Sequence, residues 1–179
     1  MKAAFALVMM LGAFAAHAAD DKPGDEWQAV QFMLGSWAGE ASGEPGKGIV
    51  ERSYELVLGG RFIEERNTSR YAAVPGKAAE VHRHRGFLSY DKERQTLMLR
   101  HFHEEGFVDL YAMNNDASSA KRLVFESVSF ENFNNDWKAR ETYDLISPDE
   151  FVETFELAEP GKDFTLYSRS HFKRKKQAS

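Results

Sequence analysis

The chain of 179 residues contains no cysteine. Disulfide staples, thiol chemistry and cysteine-ligated metals are therefore excluded, and stability has to come from an ordinary hydrophobic core. Basic residues are outnumbered, 23 Lys and Arg against 28 Asp and Glu, for a formal net charge of −5. That balance disfavours nucleic acid as a partner. One basic run, Lys173 to Lys176, stands at the C-terminus and reads as a solvated chain end. Long apolar runs are missing except from Ala3 to Ala16. This run is shorter than the roughly 20 residues a spanning helix needs. With Lys2 before it and the small-x-small pattern Ala16-His17-Ala18 after it, residues 1–18 read as a secretory signal peptide. Residues 19–179 would then form a single periplasmic or secreted domain with no stable membrane span.

Short alternating runs, punctuated by Gly, Pro and Asp, fill that domain from Ser36 onward. They mark ten strands, near 36–43, 48–58, 61–71, 80–90, 95–104, 106–113, 121–131, 137–146, 150–158 and 163–173. The links are short, and Pro160-Gly161 suits the centre of a type II turn. Successive strands should therefore pair antiparallel. A helix is expected over 25–34, with Asp25 and Glu26 at its start, Gly35 past its end, and Trp27, Val30 and Leu34 on one side. The fold class is all-β: a ten-stranded antiparallel up-and-down barrel capped by that short N-terminal helix and by Trp37 packed against it. A two-sheet sandwich competes, but barrel closure removes both edge strands.

Four of the six histidines form two His-x-His pairs, His82/His84 and His101/His103. Pairing Tyr90 with Gln95 sets Leu88 opposite Leu97, His84 opposite His101 and His82 opposite His103. The other face then carries Arg83, Arg85, Met98, Arg100 and Phe102, so the histidine face suits the interior. Four imidazoles there would suit zinc or copper. They also suit solvated strand ends beside Glu104 and Glu105.

Carboxylates interrupt apolar stripes at Glu141, among Trp137, Ala139, Tyr143 and Leu145, and at Glu153, among Phe151, Phe155 and Leu157. Matching the two stripes brings Glu153 near Tyr143. Arg52 similarly sits among Val50, Tyr54, Leu56 and Leu58. Buried charges must either pair, with Arg52–Glu141 the simplest pair, or face a wet cavity. The strand at 61–71 is polar on both faces, which fits a roomy interior. Trp37, Arg52, Tyr54, His103, Glu141, Tyr143 and Glu153 are the candidate ligand-binding residues.

The segment "FMLGSWAGEASG" at 32–43 resembles the opening strand of the nitrobindin-like heme-binding barrels of the calycin group, matching at Gly35, Trp37 and Gly39 and departing at Ala41. Further stretches, "LGGRFIEER", "WKARETY" and "FELAEPGKDF" among them, resemble a bacterial exported family of unknown function with the same barrel. The resemblance implies a calycin or lipocalin-like fold, and heme as one possible ligand with a last-strand histidine as its axial group. Here that histidine is His171, although alternation puts it on the less apolar face of its strand.

Three functions follow from these readings. A small-molecule-binding barrel would take an apolar or amphipathic ligand. A metal-dependent hydrolase or lyase would use the histidine cluster with Glu141 or Glu153 as base. A structural envelope protein would have a packed interior. No Gly-x-Ser-x-Gly elbow occurs, and "GEPGKG" at 43–48 fails as a phosphate loop because Ala41 and Gly48 stand where Gly and Ser/Thr belong.

Overall fold

All ten expected strands are present in the computed structural model, which describes residues 25–134 and 136–176. They are β1 (Gly35–Gly43), β2 (Gly48–Val57), β3 (Phe62–Tyr71), β4 (Glu80–Asp91), β5 (Thr96–His103), β6 (Val108–Met113), β7 (Arg122–Glu131), β8 (Lys138–Ser147), β9 (Glu150–Ala158) and β10 (Thr165–Arg174). Each pairs antiparallel with its neighbour in sequence, and β1 pairs with β10 to close the barrel. None of these ten strands is left with an open edge. The segment read as a signal peptide lies outside the described residues. Among the described residues no helix is long and apolar enough to cross a membrane.

The expected helix over 25–34 is instead two short 3-10 turns, Asp25–Trp27 and Gln31–Met33. Backbone bonds from Val30 N to Trp27 O (3.0 Å) and from Met33 N to Val30 O (2.9 Å) run three residues back. The reason lies in the apolar spacing. Trp27, Val30 and Met33 are the buried side chains, and positions three apart eclipse one another in a 3-10 turn. Met33 thus takes the place expected of Leu34. The indole of Trp27 donates to Gly60 O (2.9 Å) and that of Trp37 to Met33 O (2.6 Å), which seats this segment under one end of the barrel.

That end is dry. Trp37, Ile63, Leu88, Leu97, Leu99, Phe151 and Phe172 are all essentially inaccessible there. The C-terminal basic run takes part in this packing and is not a free end. The guanidinium of Arg174 lies 4.2 Å from the Trp37 ring and donates to the carbonyls of Leu34 (2.6 Å) and Phe32 (2.8 Å).

The β4–β5 hairpin differs from the expected register by two residues. Asp91 pairs with Thr96, Leu88 with Leu99, Gly86 with His101 and His84 with His103. Asp91 Oδ1 accepts from the N–H groups of Glu93 (3.0 Å) and Arg94 (3.1 Å), and Gln95 adopts φ +51°, so the four-residue turn is 92–95, between Asp91 and Thr96, rather than 91–94, between Tyr90 and Gln95. A slip of two preserves the faces. All four histidines therefore still point inward, but His84 and His101 are diagonal neighbours rather than a direct pair.

Candidate ligand cavity and histidine cluster

Above the dry end the interior turns polar, because β2, β3, β4, β5, β6, β8 and β9 each place charged or polar residues at inward positions of the alternation. A cavity of about 500 Å³ opens from this layer toward the opposite end of the barrel. Its rim is aromatic, with Tyr71, Phe107, Phe133, Trp137, Phe155 and Tyr167 around the mouth. Tyr167 arrives there through a bulge in β10 between Leu166 and Ser168. Strict alternation through that strand hides this residue.

Arg52 anchors the floor. Its guanidinium meets Glu153 at two points, Nη1 to Oε1 and Nη2 to Oε2 (3.1 Å), and Nε donates to Asn67 Oδ1 (2.9 Å) beside Glu65 Oε1 (3.2 Å). The expected Arg52–Glu141 pair is therefore replaced by Arg52–Glu153 and Arg52–Glu65. Glu141 instead accepts from Tyr143 Oη (2.6 Å). Burial pushes the Glu141 carboxyl up to about 7, with His101 opposing the shift and Glu153 and Asp109 adding to it. Glu65 moves the other way. Burial would raise it, but Arg52 and His101 outweigh burial and hold it well below the usual carboxylate range.

His101 lies among three carboxylates. Nε2 is 3.4 Å from Glu65 Oε2, and Nδ1 is 3.4 Å from Asp109 Oδ1 and 3.6 Å from Glu141 Oε1. Burial opposes its charged form, yet Glu141 and Glu65 overcome that and raise its pKa well above the ordinary value. His101 is thus the second cation of the floor, with Arg52.

The other three interior histidines are arranged differently. His84 Nε2 contacts Glu65 Oε1 (2.8 Å), His103 Nε2 contacts Asp109 Oδ2 (3.1 Å) and His82 Nδ1 contacts Glu105 Oε1 (2.7 Å). Burial, reinforced by His101, lowers the His84 pKa to about 3, and burial lowers that of His103.

Of the residues singled out from the sequence, Arg52, His82, His84, His101, His103, Glu141 and Glu153 line the cavity together. Trp37, Tyr54 and Tyr143 do not. Trp37 belongs to the dry end, while Tyr54 and Tyr143 are buried beside the floor, where Tyr54 Oη accepts from Arg52 (3.3 Å). Tyr143 does pair with Glu153 across β8 and β9, as the matched stripes required. His171 points outward on β10, with Nε2 2.6 Å from Glu150 Oε1.

Sequence reading missed Glu65, Asn67 and Asp109. The signal for the first two was available, since Ile63, Glu65, Asn67 and Ser69 alternate inward along a strand already noted as polar on both faces. Asp109 sits on a six-residue strand too short to display a face.

No family model and no curated protein matches the chain. Among solved structures it is similar to Rv2717c of M. tuberculosis, with a TM-score of 0.63 at 16% identity, covering 87% of this chain and 100% of that one. A de novo designed fluorescence-activating β barrel gives 0.41 at 13% identity, covering 83% of this chain and 98% of the design. A further design, EF1p2_mFAP2b bound to DFHBI, gives 0.41 at 9% identity over 83% and 98%. The likeness to Rv2717c bears on the fold alone, which in this chain is a closed ten-stranded antiparallel β-barrel.

Proposed function

We propose that this chain is an exported small-molecule-binding barrel that takes an apolar or amphipathic ligand, its body among the rim aromatics and its polar end on the charged floor. One observation carries the reading: the interior is divided along the barrel axis, dry at one end and enclosing about 500 Å³ between aromatic rim and charged floor at the other. A structural envelope protein with a fully packed interior would have no use for such a space. The apolar run before Ala18 supports export. Mass spectrometry of the exported protein should then find Ala19 as its first residue, and an intact Met1 would remove export from the proposal.

The nitrobindin-like resemblance adds heme as a candidate ligand, but not through the last strand. His171 is about half exposed on the outer face and bound to Glu150, so it does not fit an axial role. A metal-dependent hydrolase or lyase is the second reading. Glu141 favours it, since a carboxyl raised to about 7 can accept a proton at neutral pH.

Nile red, a neutral aromatic fluorophore, tests the cavity. It should bind with enhanced emission, and Trp137→Ala should weaken binding about fivefold or more at unchanged melting temperature. Emission that stays at the level of the free dye would defeat the binding reading.

A further inference from the structure

We infer that His82, His84 and His103 form a divalent-metal centre in the wall of the cavity, with zinc the fitting ion and the fourth coordination position open to the interior. The inference goes beyond ligand binding and does not depend on it.

The argument begins with hydrogen bonds. Each of the three imidazoles has one ring nitrogen against a different carboxylate: His82 Nδ1 on Glu105, His84 Nε2 on Glu65 and His103 Nε2 on Asp109. A carboxylate accepts, so in each neutral ring the proton stays on that nitrogen and the other nitrogen presents a bare lone pair. The three remaining nitrogens converge. His82 Nε2 and His103 Nδ1 face each other at 3.3 Å, and His84 Nδ1 is buried with no partner, in a side chain only 8% exposed. Donor nitrogens of the three residues all lie within 4.8 Å of one another.

Two lone pairs at 3.3 Å with no proton between them repel, and a third buried acceptor left bare carries its full desolvation cost. A cation removes both penalties. For zinc with Zn–N bonds of about 2.0–2.1 Å and tetrahedral angles, neighbouring nitrogens stand about 3.3–3.4 Å apart, which is the separation His82 and His103 already have. Carboxylates behind the ligands also match the usual outer shell of a metal-bound imidazole, fixing tautomer and ring orientation.

Charge points the same way. Glu105, Glu65 and Asp109 stand behind His82, His84 and His103 respectively, so a divalent cation held on the three free nitrogens would have a carboxylate behind every ligand. His101 itself is not a ligand, because both of its nitrogens face carboxylates. Three neutral nitrogens and an open position are the donor set of a catalytic-type zinc site, and copper(II) is the competing ion.

The test is calorimetric titration of the metal-free full chain with zinc chloride, with Nile red binding measured on the same samples. One zinc per chain should bind, and cobalt(II) in its place should give the intense visible bands of a four-coordinate site. His82→Ala, at the partly exposed edge of the cluster, should fold normally and weaken zinc binding to millimolar or worse. Glu105→Gln, which touches the metal only through His82, should weaken it about tenfold. His171→Ala should leave it unchanged. Retention of zinc affinity in His82→Ala, its loss in His171→Ala, or no heat at millimolar zinc from a chain that still binds Nile red would each overturn the centre while leaving the cavity reading standing. Zinc binding without Nile red binding would do the reverse.

Discussion

Arg52 and Glu153 are 101 residues apart in sequence, yet their side chains join β2 to β9 by a two-point contact across the barrel floor. Both groups are buried, so the pair recovers its desolvation cost only while both members are present. Arg52→Met should therefore cost about 3–5 kcal/mol, because it strands Glu65 and Glu153 together in the interior. Glu153→Gln, which keeps an acceptor for the guanidinium, should cost less. Urea unfolding of both variants checks the order, and equal losses would mean that packing rather than charge pairing sets the cost.

Glu141 should make stability depend on pH in the direction opposite to most carboxylates. Its folded pKa of about 7 lies above the ordinary 4.5, so the native state holds this proton more tightly than the unfolded chain does. That contribution is complete below 4.5 and is lost as pH rises through 7. Glu141→Gln removes the titration. The variant should gain on the parent by roughly 3 kcal/mol between pH 4 and pH 8, and parallel stability curves would show that Glu141 ionises normally.

The strands were legible because their alternation is strong and their links are short, and the order of pairing followed from those links. The inward faces of β4, β5, β8 and β9 were legible for the same reason. Pairing partners were not, because a shift of two residues changes no face. Only the Asp91 turn distinguishes His84–His103 from His84–His101. Arg52 illustrates the other limit. Its charge demanded a partner, but choosing among Glu65, Glu141 and Glu153 needs the barrel's circumference, which no local pattern encodes.

Arg174 should matter beyond its exposure. It stacks on Trp37 and satisfies the carbonyls of Phe32, Leu34 and Pro148, so that its planar fork holds the N-terminal segment under the dry end. Gly35, with φ +113°, leaves room for it, since a Cβ there would stand 2.8 Å from Nη1. Arg174→Lys keeps the charge but loses the fork and should cost about 1–3 kcal/mol in thermal melts. Nile red binding at the far end should be unaffected.

Gly86 should control the floor from beneath. It pairs directly with His101 across β4 and β5, and a Cβ at this position would stand 2.7 Å from His101 Cδ2 and 3.0 Å from the Glu65 Cβ. The imidazole lies over the glycine because no other residue leaves that space. Gly86→Ala must then push His101 off its three carboxylates or bend the hairpin, at about 1–3 kcal/mol of overpacking strain. Displacing the cation also exposes Glu65, Asp109 and Glu141 to one another. Loss of stability should therefore be larger at pH 8, where Glu141 is ionised, than at pH 5, where its proton relieves the repulsion. Chemical denaturation of Gly86→Ala at the two pH values provides the measurement. A loss of the same size at both would show that the substitution strains the backbone alone and leaves the His101 cluster in place.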